Sequence, residues 1–429
     1  MTCVIKGQTL TFSAEGALRH EERGAVVVGD DGVILWCGPQ PLLPQAFRQV
    51  ETHDHGRMIV MPGFIDAHIH FPQYRMLAAP AKDLMDWLTR FTFPEESRYA
   101  AKDYADRSAT VFLNRLHAHG TTAALVFCSV HKVCAQALFE AADARGMALI
   151  TGKTMMDRNA IPAVEDDPET GARESAELYQ AWHGKGRLRY AVTPRFAITS
   201  SDAQLRLSGE LLASLDGALM QTHLSESAGE IAMVGRLFPW AKDYTDVYDH
   251  FGLLGPRSLF AHGIHLSERE CTRLSESGSA VVHCPTSNTF LGSGLMSMPH
   301  LSKPERPVAL GLATDVGGGT SYSMLATMAE AYKVQMLVGY KPSAADLFRM
   351  ATRGNAKRLR MDHETGALEL GKFADLVVLD PCATPVLASR QEVSASLEDV
   401  LFSLMMLGDD RAVAATYVKG RKVFERITP

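Results

Sequence analysis

Short apolar stretches recur along the middle of the chain, and helical-patterned stretches fill most of the gaps between them. The apolar runs fall at 59–66, 121–128, 147–153, 188–194, 218–223, 258–262, 280–284 and 308–314, and residues 101–118 and 134–145 show the intervening helical pattern. Apolar strands alternating with helices predict a parallel α/β fold. Eight strands in this rhythm favour a closed barrel over an open sheet, and such a barrel gathers its chemistry at the C-terminal ends of its strands.

The two ends of the chain have a different texture. Ala25–Val28, the turn Gly29-Asp30-Asp31-Gly32 and Val33–Cys37 read as a hairpin, with the Asp-Gly pair between two apolar runs as its signal. Asp375–Asp380, Val413–Val418 and Lys422-Val423-Phe424 continue in the same style. These ends predict one small β domain assembled from both termini, residues 1–60 and 368–429, around a barrel domain at 61–367. No internal repeat or low-complexity segment is present.

Placing the histidines on this map changes the picture. His68-Ile69-His70 closes the first run, and residues two apart in a strand project to the same side. His223 ends the fifth run, His262 the sixth, and Asp315 follows the eighth. Histidine nitrogens with one carboxylate and an open position suit zinc, or ferrous iron, acting on water. For any single histidine, a satisfied polar role is as good a reading; four such residues at the same end of the barrel make the metal reading the stronger. Two acids can move protons. Asp315 can accept one from the activated water. Glu226, in His223-Leu224-Ser225-Glu226, lies where the chain turns from strand to helix, and its carboxyl is expected to aim back into the mouth. His117, His119, His250 and His363 are read as solvated or local. His265 is ambiguous, and His283 is expected to support the site rather than form it.

Composition adds exclusions. The 429 residues are 46% hydrophobic and 21% charged with a net charge of −6, and the pI is near 6.2. Nothing in that balance suggests nucleic acid or a membrane surface as partner. No apolar stretch approaches the roughly 18 residues of a membrane span, and the N-terminus does not read as a signal peptide. Seven cysteines, scattered and never spaced C-x-x-C, fit a reduced cytoplasmic protein and argue against a thiolate zinc site. The H-x-E with P-C-x-x-C deaminase pattern is rejected: His20-Glu21-Glu22 fits its first half, but Pro381-Cys382-Ala383-Thr384 lacks the second cysteine.

With these residues placed, the chain closely resembles guanine deaminases of the amidohydrolase superfamily over nearly its whole length. The resemblance rests on Pro62-Gly63-Phe64-Ile65-Asp66-Ala67-His68-Ile69-His70-Phe71-Pro72-Gln73-Tyr74, Trp87-Leu88-Thr89-Arg90-Phe91-Thr92-Phe93-Pro94-Glu95, Val192-Thr193-Pro194-Arg195-Phe196, Gln221-Thr222-His223-Leu224-Ser225-Glu226 and Thr314-Asp315-Val316-Gly317-Gly318-Gly319. The first and fourth segments are shared broadly across the superfamily; the second and third point to guanine deaminases. The resemblance implies a (β/α)8 TIM-type barrel with a small β-sandwich from both termini, and one zinc ion per subunit with iron(II) as the alternative. It implies His68, His70, His223 and Asp315 as metal ligands, Glu226 as proton shuttle and His262 as a contact to the hydroxide or developing oxyanion. Gln73 and the pair Arg195-Phe196 match its purine-recognition positions, beside His223, Glu226 and Asp315 at the reacting end. Arg195 occupies the region where dinuclear relatives carry a modified lysine, which supports a single metal; Lys153 is a weaker candidate bridge.

The implied reaction is hydrolysis of guanine to xanthine and ammonia, with zinc-activated water adding at C2, in a cytoplasmic homodimer. Gln73 would supply donor and acceptor, Arg195 a donor fork and Phe196 a stacking face. Residues 71–93 are expected to include a covering flap. Two alternatives stay open: deamination of another purine, a pterin or a triazine, and a non-catalytic amidohydrolase-like scaffold.

Overall fold

The computed structural model describes residues 1–82 and 84–427. Eight parallel strands form its centre: Phe64–His70, Thr121–Phe127, Ala148–Gly152, Leu188–Pro194, Leu219–Leu224, Ser258–His262, Ala280–His283 and Ala309–Leu312. Each pairs with the next in chain order, and helices cover the outside. Alternate residues of these strands, such as Leu125, Ile150, Ala191, Leu219 and Val282, fill the barrel as one apolar cluster.

The first apolar run divides between two sheets. Residues 59–62 finish the strand Glu51–Pro62 of the terminal sheet, and Phe64–His70 enters the barrel only after Gly63. A Cβ at Gly63 would stand 2.2 Å from Thr122 Oγ1, so the crossing requires glycine. Further along, the pairing with the second strand takes up one extra residue: Asp66 faces Ala124, but Ile69 faces Val126. Ile65 and Ala67 belong to the barrel cluster, whereas Ile69 packs in the outer core. The bulge reverses the in–out alternation and turns both histidines inward.

The eighth and first strands share no ladder among the described residues. Asp315 N–H donates to His68 O at 3.0 Å, and side chains stitch the rest of the seam. The Asp66 carboxylate accepts from the backbone N–H of Thr314 at 3.1 Å and from its hydroxyl. The fully buried Asn355 accepts from Leu312 N–H at 3.0 Å and donates to the carbonyls of Ile65 and Leu312 at 2.6 and 2.7 Å.

Both termini build a mixed seven-stranded sheet. The C-terminal strand Leu376–Leu379 lies antiparallel to Glu51–Pro62, with Val377 opposite Met61, and so joins the two ends of the chain. The segment 368–429 is not sheet alone, however. Helices Pro385–Gln391 and Leu397–Leu407 interrupt it, and the second packs on the barrel helix Met324–Leu337, where Phe402 meets Tyr332 edge-on at 4.9 Å. No helix among the described residues is long and apolar enough to cross a membrane.

The seam yields a stability prediction. Asn355→Ala leaves three buried backbone groups of the barrel wall without partners and should cost about 3 kcal/mol. Urea unfolding of the variant measures this, and a loss no larger than that of an exposed substitution would show that Asn355 does not hold the seam.

Candidate active site

Four side chains meet at the mouth of the barrel. His68 and His70 come from the bulged first strand, His223 from the fifth, and Asp315 lies three residues beyond the eighth. Nε2 of His68 and of His70 stand 3.2 and 3.3 Å from Asp315 Oδ1, and the Nε2 atoms of His70 and His223 are 3.2 Å apart. Ligand atoms bound tetrahedrally to one ion at about 2.1 Å are about 3.4 Å from each other, so these spacings fit a shared divalent cation. His68 Nε2 is buried without a hydrogen-bond partner. His223 Nδ1 donates to Arg195 O at 2.7 Å, which leaves the Nε2 lone pair pointing at the cluster.

Protonation suits the same role. Burial lowers His70 to about 3 and holds His223 well below its ordinary value. Burial alone would raise Asp315, yet the facing imidazoles of His68 and His70 keep its carboxyl well below the usual range. Neutral imidazoles around an anionic carboxylate are the state metal binding requires. Cys284 lies close to His68, His262 and Asp315 as well. Burial pushes its thiol far up, so it offers no thiolate.

Three of the residues at this rim sit in left-handed backbone conformations: Ser225 at φ 50°, His262 at φ 72° and Asp315 at φ 50°. Such positions cost about 1–3 kcal/mol each for non-glycine residues and persist only where the surroundings enforce them. Here they re-aim the chain at the strand ends. His262 Nδ1 bonds Asn288 Oδ1 at 2.8 Å, and its Nε2 lies 3.5 Å from Glu226 Oε2 and 3.8 Å from Asp315 Oδ2. Glu226 follows the Ser225 kink. Its own N–H donates to Glu230 Oε2 at 2.8 Å, and Ser293 Oγ donates to its Oε1 at 3.1 Å. Glu230, not Glu226, closes the capping box of the helix that follows, so the Glu226 carboxyl is left for the cavity. Burial, reinforced by the charge of Asp315, pushes it up to about 8.

A cavity opens beside this cluster. Leu84, Trp87 and Leu88 form its roof, from the segment expected to cover the site; Asp83 of that segment lies outside the described residues. Gln73, Arg195 and Phe196 line the wall, with the Phe196 ring 6.3 Å from that of His223. The loop after Asp315 closes in tightly: a Cβ at Gly317, where φ is 125°, would stand 2.0 Å from Gln73 Oε1. Arg195 is not a free fork. Its Nη1 donates to both oxygens of Glu96, at 2.9 and 2.7 Å, and Gln73 Nε2 donates to Glu96 Oε1 at 2.9 Å. Glu96 directly follows the Trp87–Glu95 segment and was not among the expected site residues. Its signal was the adjacent pair Glu95-Glu96 on a short helix, where consecutive residues point to different sides.

Other candidates lie apart from the cluster. Lys153 is buried but paired with Asp166 and, at 2.9 Å, with Glu174. His265 Nε2 donates to Ser293 O, 2.8 Å away, and so touches the loop that carries the Glu226 partner. His283 is buried with neither ring nitrogen hydrogen-bonded. His117, expected to be solvated or local, is buried where Thr416 Oγ1 donates to its carbonyl, under the terminal sheet.

The amidohydrolase family model matches residues 59–423. The chain is 44% identical over 414 residues to the guanine deaminase of Escherichia coli (strain K12), covering 96% of this chain and 93% of that protein. It is 34% identical over 403 residues to the guanine deaminase of Homo sapiens, covering 90% and 86%. Among solved structures, E. coli guanine deaminase superposes with a TM-score of 0.93 at 42% identity, covering 99% of this chain and 100% of the other. Guanine deaminase from C. acetobutylicum with bound guanine in the active site gives 0.90 at 28% identity, again covering 99% and 100%.

Metal analysis tests the cluster directly. The purified protein should carry about one divalent ion per chain. Asp315→Ala should lose it while His283→Ala keeps it, as read by mass spectrometry of the metal content. Full occupancy in Asp315→Ala would remove that residue from the ligand set.

Proposed function

The chain belongs to the amidohydrolase family, and we propose that it hydrolyses the exocyclic C2–N bond of guanine, giving xanthine and ammonia. The observation that carries this reading is one cavity lined both by the metal-fitting cluster and Glu226 and by Gln73, Arg195 and Phe196. The near full-length likeness to guanine deaminases supports the same substrate.

His68, His70, His223 and Asp315 would hold a single ion, for which nitrogen-rich ligation favours zinc. When bound, such an ion brings the pKa of a water to about 7 and stabilises developing negative charge. The protein groups do the rest. Phe196 stacks on the ring, and Gln73 and Arg195 orient C2 toward the cluster. Glu226, held mostly neutral near pH 7 by burial, gives a proton to the ring nitrogen beside C2 as water adds, and Asp315 stands ready to take the water's proton. Asp315 then passes that proton to the amine, which leaves as ammonia, and the added hydroxyl gives up its own proton to restore Glu226 as the C2 carbonyl forms. His262, fixed by Asn288, faces the charge that builds at C2. Leu84, Trp87 and Leu88 keep bulk water off the ring. Seven unbridged cysteines support a cytoplasmic location.

Glu226→Gln keeps the shape of the site but removes the titrating proton. It should retain the metal and lower kcat for ammonia release from guanine by about 1,000-fold. Near-normal turnover would exclude Glu226 as the proton carrier, and faster turnover of a pterin or triazine by the unaltered protein would displace guanine as substrate.

A further inference from the structure

We propose that Glu96 is the positioning residue that makes this cavity select 6-oxopurines over 6-aminopurines. The proposal rests on the guanine reading above and concerns a residue with no part in the chemical step.

Glu96 is fully buried, and a lone carboxylate in that position would be strongly unfavourable without a partner. It has two. Arg195 Nη1 donates to both its oxygens, and Gln73 Nε2 donates to one. A carboxylate only accepts hydrogen bonds, so the Gln73 atom facing it is the NH2 group. That choice determines the rest of the amide: Oε1 is turned away from Glu96, beside Gly317, whose neighbour Gly318 lines the cavity together with Gln73. Arg195 is pinned from the other side as well, because its carbonyl accepts from His223 Nδ1. Its Nη1 is spent on Glu96, while Nε and Nη2 have no protein partner among the described residues.

The wall therefore presents an acceptor, Gln73 Oε1, beside donors, the free edge of Arg195. A 6-oxopurine offers the complement: a ring N–H next to a carbonyl oxygen. A 6-aminopurine offers the reverse, a bare ring nitrogen next to an amine. Without the Glu96 charge, the Gln73 amide can turn over and present its donors instead. Rejection of the wrong ring is then lost, because mismatched buried polar groups are what impose the penalty.

The test uses Glu96→Gln and, as a gentler change that keeps the charge but shortens the reach, Glu96→Asp. Competitive inhibition by hypoxanthine and by adenine is measured with guanine as substrate, alongside metal content. In Glu96→Gln the KM for guanine and the inhibition constant of hypoxanthine should rise about tenfold, while that of adenine stays level or falls; Glu96→Asp should shift them in the same direction by a smaller factor. The metal should remain bound, and kcat should change less than KM. Equal losses for both inhibitors, or an unchanged ratio between them, would overturn the assignment and leave Glu96 as packing. Failure of the unaltered protein to deaminate guanine would instead sink the reading beneath it.

Discussion

A negative charge surrounded by neutral imidazoles in a dry barrel mouth is the constraint on which the structure turns. Asp315 is buried, and burial alone would drive it to the protonated form; the facing histidines hold it ionised. Burial keeps the neighbouring imidazoles of His70 and His223 neutral. The cluster thus carries an anion whose surroundings are short of positive charge, an arrangement a divalent cation completes. Glu226 feels the other side of this balance. It sits within reach of the same field, and the charge of Asp315 helps to keep its proton on.

Several local irregularities make sense as the means of assembling that cluster. A regular first strand would have continued the alternation of Ile65 and Ala67 and sent His68 outward; the single-residue bulge prevents this. Ser225, His262 and Asp315 each bend the chain through a left-handed conformation at a strand end. The barrel seam, where Asp66 and Asn355 replace a ladder, lies directly below the first and last ligands. Asp315 N–H bonds to His68 O across it, so the stitching that closes the barrel also sets the distance between two members of the cluster.

What the sequence revealed was mainly what is local or repeated. The spacing of His68 and His70, the apolar runs and the placement of later ligands at run ends are all readable, because strand periodicity carries them. The division at Gly63 was hidden, since the run crosses from one buried sheet to another without a polar break. Glu96 was hidden for a different reason. Its meaning comes from Arg195, which lies 99 positions away, and nothing in a five-residue helix announces that partner. Ser293 and Asn355 are similar: a serine in a loop and an asparagine on a helix acquire roles only from the strands they meet. The terminal helices were missed because the flanking strands set the expected texture of the whole segment.

Recognition and reaction share one residue more intimately than a contact inventory suggests. The carbonyl of Arg195 accepts from His223 Nδ1 and so orients one imidazole of the cluster, while its guanidinium is oriented by Glu96 on the cavity wall. A single backbone position therefore registers the substrate wall against the cluster. In the proposed reaction the ring's C2 would have to arrive within reach of Glu226 and the cluster together, and misplacement by an ångström is enough to lose much of the benefit of orientation. Anchoring both functions to the end of one barrel strand gives that registration without relying on loops. The roof helix, by contrast, contributes apolar cover from Leu84, Trp87 and Leu88, where position matters less than exclusion of water.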